Sequence, residues 1–171
     1  MNRLHRTARL RIAAAAVLAA ALPGAAGAER LADPLRFWEG RTESVSTVKV
    51  VMKKPFKSRS LGRGEIRPDG SLLLVQRVQE EGRPARERRW HIRKVASSRY
   101  AGTMNEASGP VTIEEVGGKF RFRFKMKGGL AVEQWLTPLP GGKAATNNVK
   151  VRKLGMTVAT TEGLIRKVAA N

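Results

Sequence analysis

The sequence predicts an all-β protein, an antiparallel up-and-down barrel of about eight to ten strands. The first observation is residues 119–127, where every odd position is cationic and every even position is apolar. Such a period of two belongs to a strand with one buried face. The second is the glycine pairs at 117–118 and 128–129, since glycine reaches the positive φ of tight hairpin turns without a steric clash. The third is the recurrence of short runs between turn signals, which is typical of a barrel or a sandwich.

The elements follow in order along the chain. Residues 31–40 hold Pro34 and the pair Phe37-Trp38, and we expect no interior helix. The turn Pro68-Asp69-Gly70 combines a proline that presets φ with a glycine for the left-handed position. Consecutive hairpins favour a closed barrel over a sandwich, because closure removes exposed sheet edges. The runs are residues 45–54, 64–67, 71–79, 86–95, 99–104, 111–116, 119–127, 130–137, 144–153 and 156–168.

The first 28 residues have the features of a cleavable signal peptide. Four arginines precede an apolar run of 11 residues, 12–22, and Ala26-Gly27-Ala28 supplies the small residues of a cleavage site. Spanning a bilayer takes roughly 20 residues, which argues against an uncleaved anchor. No cysteine follows that could carry a lipid. We therefore expect export to the periplasm, no lipoprotein, and one domain at residues 29–171.

The mature chain is strongly basic and lacks cysteine. The whole sequence has 33 Lys and Arg against 14 Asp and Glu, and four of those cations lie in residues 1–28, so the mature domain carries +15. Zero cysteines exclude disulfides, thiolate metal sites and thiol catalysis. Outside the cytoplasm the available polyanions are lipid head groups and lipopolysaccharide rather than nucleic acid. The alternative to a polyanionic partner is a basic composition that reflects no partner at all. We expect the protein to be a monomer.

The residues for catalysis are few. His91 is the only histidine of the mature chain, and no zinc-binding spacing or Gly-x-Ser-x-Gly motif occurs. Glu114 and Glu115 are neighbours on opposite faces of a strand, so they do not form an acid/base pair. We therefore expect no enzyme, no cofactor and no metal.

A small barrel can instead enclose one ligand, since alternate residues of every strand face inward. An inward aromatic face would make the lumen apolar, and Arg77 and Glu133 are candidates for polar contacts inside it. The alternative is plain core packing, which aromatic residues at strand spacing also produce. The predicted ligand-binding residues are Trp90, Phe120, Phe122, Phe124, Trp135 (or its neighbour Leu136), Arg77 and Glu133.

The cationic face of residues 119–127 is a candidate surface for anionic membranes or lipopolysaccharide. Its side chains recur about every 7 Å, and the guanidinium groups suit phosphate. An ordinary solvated face is the alternative. A nucleic-acid strand would carry aromatic residues on the basic face for base stacking, whereas here they point the other way. The predicted surface residues are Lys119, Arg121, Arg123, Lys125 and Lys127.

Several short motifs occur in a fixed order along the chain: Phe37-Trp38-x-Gly40, Arg89-Trp90-His91-Ile92-Arg93-Lys94, Tyr100-x-Gly102, Gly109, Trp135, Gly142-Lys143, Asn147 and Lys153-x-Gly155. Together they resemble an uncharacterised family of bacterial envelope proteins with a calycin-like (lipocalin-like) domain. The resemblance covers residues 31–167. The chain departs from that family in lacking a cysteine to acylate, and in having Asn105-Glu106 where members often show two acidic residues. The resemblance implies fold and compartment, and no activity.

The sequence thus predicts an exported, non-catalytic barrel that binds an apolar or amphiphilic, lipid-derived ligand. The alternative is a structural or interaction protein of the cell envelope that acts through its basic face. An enzyme that uses pocket carboxylates is the third interpretation.

Overall fold

The computed structural model describes residues 33–169, so the predicted signal peptide lies outside the described residues. This part of the chain forms one short helix followed by ten strands. Their bounds are α1 Pro34–Trp38, β1 Gly40–Val50, β2 Phe56–Ile66, β3 Leu72–Glu80, β4 Arg86–Ala96, β5 Arg99–Met104, β6 Val111–Val116, β7 Lys119–Met126, β8 Leu130–Pro138, β9 Ala144–Lys153 and β10 Met156–Val168.

The ten strands close into a single antiparallel barrel. Each strand pairs with its neighbours in sequence, and β1 pairs with β10 to close the sheet. The predicted fold class, an all-β up-and-down barrel of lipocalin-like kind, is confirmed. All four glycines that flank β7 have positive φ, between 59° and 80°, as the predicted hairpin turns require.

The helix α1 is a difference from the sequence expectation, which left this segment without one. The Asp33 side chain accepts a hydrogen bond from the Leu35 backbone N–H at 2.9 Å, and Pro34 occupies the first turn. An acidic N-cap followed by proline is a standard helix start, so a local signal was present. Leu35, Phe37 and Trp38 are buried. They pack against β2 and β3 and close one end of the barrel.

The two ends of the barrel differ. The closed end is formed by α1 and the turns at 67–71, 97–98, 117–118 and 139–143. The open end is formed by the turns at 51–55, 81–85, 105–110, 127–129 and 154–155. Large side chains of α1 and of the strands fill the closed half of the barrel, and the least exposed of them are Phe37, Phe120, Leu72, Ile92, Leu136 and Val111. The lumen is therefore packed most tightly in its closed half, and most of the residues around the remaining space lie towards the open end.

Candidate functional site

A cavity of about 250 Å³ occupies the open half of the lumen. The helix α1 and every strand except β5 and β6 contribute inward side chains to the cavity. Some of these side chains are apolar and the others are polar. The apolar ones are Trp38, Val48, Leu74, Val78, Trp90, Ile92, Phe122, Phe124, Met126, Val132, Val149, Val151, Ala159 and Ile165. The polar ones are Ser44, Ser46, Ser58, Ser60, Gln76, Glu80, Arg86, Arg88, Gln134, Asn147 and Thr161. The lining of the lumen is therefore amphiphilic rather than entirely apolar.

Three of the predicted aromatic residues meet on the apolar wall. The Trp90 ring packs edge-on to Phe124, with centroids 5.7 Å apart, and to Phe122 at 6.5 Å. These are the preferred geometries of aromatic pairs. The Trp90 Nε1–H donates to Gln76 Oε1 at 2.8 Å, which fixes the indole plane. Phe120 is equally buried but belongs to the packed half and does not line the cavity.

Three other predicted pocket residues face outward, so their placement in the lumen was wrong. On β3 the inward residues are Leu72, Leu74 and Val78, which places Arg77 outside. On β8 the even-numbered residues face in. Glu133 and Trp135 therefore lie outside, and Leu136 is the buried neighbour. Because side chains alternate along a strand, choosing the wrong starting residue turns the whole strand over.

Five charged residues form an ion-paired cluster at the open end, which we call the mouth cluster: Glu80, Arg83, Arg86, Arg88 and Glu106. Glu80 accepts from Arg83 at 2.9 Å and from Arg86 at 2.8 Å. Glu106 accepts from Arg86 at 2.8 Å and from Arg88 at 2.9 and 2.7 Å. The Glu80 and Glu106 side chains are only 12% and 19% exposed. Three cations against two anions leave the rim of the cavity with a net charge of +1.

The cluster changes the pKa of its members. Burial by itself would raise the pKa of Glu80, but the hydrogen bond and charge of Arg86, with Arg83, outweigh it, so the pKa is lowered below the ordinary 4.5. Burial likewise opposes the charged form of Arg86, yet the hydrogen bonds and charges of Glu80 and Glu106 raise its pKa above the ordinary value of an arginine. Both groups are therefore charged at neutral pH, and the rim remains polar.

The Glu80 ion pairs predict an acid-dependent stability. A carboxyl whose pKa is lowered by folding contributes stability above its unfolded pKa, and the contribution is lost as the pH falls through the folded pKa. We expect Glu80→Gln to lower the free energy of unfolding at pH 7 and to flatten its decline below about pH 4.5. Urea unfolding from pH 7 to pH 3 measures both effects. Glu43→Gln removes one exposed carboxylate from the outer wall and serves as the control. If the free energy of unfolding fell with the same slope below about pH 4.5 in wild type and in Glu80→Gln, Glu80 would not be the source of the acid dependence.

The polar wall was not predicted from the sequence. It consists mainly of hydroxyl groups from β1, β2 and β10, with Ser44 and Ser46 in contact at 3.5 Å. On the side of β8 and β9, Gln134 Nε2 donates to Asn147 Oδ1 at 2.8 Å. The available signal was the serines at every second position of 44–46 and 58–60. A search for apolar alternation passes over it, because this inward face is itself polar.

The structure places the predicted cationic surface on the outer wall of β7, with partial neutralisation. Glu114 of β6 accepts from Arg121 at 2.6 Å and from Arg123 at 2.9 Å. The Arg121 hydrogen bond is the main cause of the lowered pKa of Glu114. Arg121 also lies over the Trp135 ring at 5.6 Å, a cation–π contact. Lys119, Lys125 and Lys127 are exposed. Binding of an anionic surface by this face stays a prediction.

His91 lies on the outer wall near the closed end, beside the turn at 67–71. Its Nε2 is 3.1 Å from Ser71 Oγ, and that hydroxyl donates to Asp69 Oδ1 at 2.7 Å. In a catalytic triad the carboxylate orients the histidine, whereas here it binds the serine. The Ser71 backbone N–H also donates to Asp69. These contacts anchor the turn, and they lower the pKa of Asp69, chiefly through the Ser71 hydroxyl. An enzyme could use His91, Glu106 and Asn147 only if they lined one cleft, but Asn147 lines the lumen, Glu106 lines a separate hollow at the open end, and His91 lines neither.

Two further searches cover residues 33–169. None of the His, Asp and Glu side chains there forms a group of three or more that could hold a metal ion. Within the same residues no helix is both long and apolar enough to cross a membrane.

The fold and the site define a class: a closed ten-stranded up-and-down barrel of lipocalin-like kind, with an amphiphilic cavity in its open half. Solved structures share this architecture. An S-type phycobiliprotein lyase, CPES, from Guillardia theta superposes with a TM-score of 0.60 at 8% identity, over 80% of this chain and 92% of its own. A protein of unknown function from the DUF3598 family of Nostoc punctiforme gives 0.62 at 12% identity, over 86% of this chain and 53% of its own.

These likenesses are to the fold alone, given the low identities. This chain spans about half the length of the DUF3598 protein. No protein-family model matches the chain, and no curated sequence does either.

Proposed function

We propose that this protein is an exported, non-catalytic binding protein that takes an apolar or amphiphilic small molecule, lipid-derived in chemistry, into the open half of its barrel. The observation that carries the proposal is the 250 Å³ cavity between an aromatic wall and a hydroxyl-lined wall, with the mouth cluster at its rim. The fold likenesses support the proposal at the level of the barrel. Periplasmic export rests on residues 1–28, and the monomeric state is part of the proposal.

The volume limits what the cavity can hold. A 150 Å³ apolar cavity binds benzene, and pockets for drug-sized ligands measure about 300–1,000 Å³. A 250 Å³ space therefore suits one ring system or a short acyl segment. A longer molecule would keep its remainder in the mouth, beyond the rim.

The distribution of polar groups gives such a ligand one orientation. Its apolar part would lie against Trp90, Phe122 and Phe124, where burial of carbon surface supplies about 25 cal/mol per Å². Its polar end would lie at the mouth cluster, where the arginines are held in place by Glu80 and Glu106. Side chains that are already ordered lose little entropy on binding. An amphiphile with a polar head fits this arrangement better than a pure hydrocarbon does.

The test uses two tryptophan variants at adjacent residues of β2. Ser60 lines the cavity, whereas Leu61 is exposed on the outer wall. We expect Ser60→Trp to fill the lumen and to weaken binding of the fluorescent probe anilinonaphthalene sulfonate by at least about tenfold, a loss of about 1.4 kcal/mol. Leu61→Trp adds the same side chain outside the cavity and should leave the Kd unchanged.

Fluorescence titration measures both variants, and thermal unfolding confirms that each remains folded. Equal Kd values for wild type and Ser60→Trp would place the probe elsewhere. They would favour the alternative function, an interaction protein acting on anionic lipid or lipopolysaccharide, for which the observation is the net charge of +15 on residues 29–171.

A further inference from the structure

The most exposed large apolar side chains of the described residues are concentrated at one place. Met52 is 99% exposed, Leu154 89%, Met156 67% and Val51 60%, and each other exposed large hydrophobic side chain of residues 33–169 is at 58% or less. Val51 and Met52 lie in the turn between β1 and β2. Leu154 lies in the turn between β9 and β10, and Met156 is the first residue of β10. Water-exposed apolar groups that cluster in this way are typical of an interaction site.

The two turns are adjacent at the open end. The strands β1, β10 and β9 are consecutive in the barrel, and the Val51 N–H donates to the Val158 carbonyl at 3.0 Å. Both tips also have unusual backbones, since Met52 has φ 62° and Leu154 has φ 49°. Glycine or asparagine adopts this left-handed conformation more readily than other residues. Met52 and Leu154 therefore place large apolar side chains at turn positions whose left-handed backbone is unfavourable for such residues.

Cations surround the two tips. Lys53 and Lys54 follow Met52, Lys153 precedes Leu154, and Lys127 lies in the turn between β7 and β8. None of these four lysines forms an ion pair with another residue of 33–169. The open-end turns carry four cations and two acids, whereas α1 with its flanking residues and the closed-end turns carry three of each. The excess positive charge of the turns is therefore at the open end.

We propose that the open end docks on the surface of an anionic phospholipid bilayer, with Met52 and Leu154 inserted among the head groups and lysines 53, 54, 127 and 153 on their phosphates. Apolar tips ringed by lysines are the features that bind a protein to the interface, through buried carbon surface and attraction to anionic lipid together. Charge complementarity selects this occupant. A second copy of the chain would present the same lysines to one another across a twofold axis.

This docking site shares only Lys127 with the β7 wall that the sequence predicted. It does not depend on ligand binding. If the proposed function also holds, docking would turn the mouth of the cavity towards the bilayer, so that an amphiphile could pass between membrane and lumen without crossing water.

The experiment compares vesicles of phosphatidylcholine with and without phosphatidylglycerol, by co-sedimentation of the purified protein. The test variant is Met52→Asn with Leu154→Asn, because asparagine removes the apolar tips and tolerates the left-handed backbone. We therefore expect the variant to fold, and thermal unfolding checks this. We expect wild type to bind the anionic vesicles. We expect the affinity of the double variant for these vesicles to be lower by about tenfold or more. Leu61→Asn removes an exposed leucine from the outer wall and should bind like wild type.

Three outcomes would overturn the proposal. One is a wild-type protein that does not sediment with anionic vesicles at low salt. Another is a triple variant Arg121→Gln, Arg123→Gln, Lys125→Gln that loses binding while the double asparagine variant retains it, since the β7 wall would then be the docking surface. The third is self-association of wild type without lipid that the asparagine variant abolishes, because the tips would then join two copies.

Discussion

Replacing Phe120 with alanine is expected to lower the free energy of unfolding by about 3–5 kcal/mol, the usual cost for a fully buried phenylalanine. Phe120 is 1% exposed and packs in the closed half of the barrel among Leu72, Ile92 and Leu136. The removal leaves a cavity because strands paired on both sides cannot move inward to fill it. Urea denaturation with a fixed m-value measures the loss.

The matched control is Phe124→Ala on the same strand. Phe124 already borders the 250 Å³ cavity, so its truncation enlarges an existing space, and fewer contacts are lost. We expect a smaller loss of stability together with altered binding of anilinonaphthalene sulfonate. Phe120→Ala should leave the affinity for this probe close to that of wild type. A loss of stability in Phe120→Ala no larger than in Phe124→Ala would contradict the division into a packed and an open half.

The second large effect is expected for Gly64→Ala, which should cost about 3 kcal/mol, the upper part of the range for overpacking. A Cβ at this position would overlap the backbone carbonyl oxygen of Trp38, at the end of α1. A backbone group cannot rotate away as a flexible side chain can. The helix must therefore shift, and Phe37 and Trp38 lose their places over the closed end. Urea denaturation gives the size of the loss, and limited proteolysis near residue 38 reports the release of α1.

Gly109→Ala is the control for the same chemical change. Nothing lies within 4 Å of the Cβ that it adds, and Gly109 does not have a positive φ. Since alanine restricts the unfolded chain, we expect no loss and a gain of up to about 1 kcal/mol. If the two variants had equal stability, the close contact between α1 and β2 would not constrain the barrel.

How much of this architecture the sequence predicts depends on whether a strand has an apolar face. The bounds predicted for β5, β6, β9 and β10 agree with the structure, because glycine-containing turns or clear alternation delimit them. β2 was almost entirely missed. Between Phe56 and Ile66 its inward residues are Ser58, Ser60, Gly62 and Gly64, which a search for a hydrophobic period of two does not reveal.

The candidate site shows the same limit more sharply. Phe122 and Phe124 face the lumen, and cations at every alternate position of β7 leave only that one possible inward face. β3 has apolar residues at 72, 73, 74 and 75 in succession, so both faces looked buried. The prediction that Arg77 faces inward is therefore wrong, because the inward residues of β3 are the even-numbered ones.

The sequence by itself determined the strongly basic charge, which depends on composition alone. It also determined the period of the strands, the positions of most turns and the succession of antiparallel hairpins, since these depend on neighbours close along the chain. The tertiary structure alone decided the rest. Glu106 lies 20 residues from Arg86 and 26 from Glu80 in the numbering, and only pairing between strands brings them together at the mouth. Likewise, the tips at Met52 and Leu154 are neighbours because β1 closes the barrel against β10, a contact between opposite ends of the chain that no local pattern encodes.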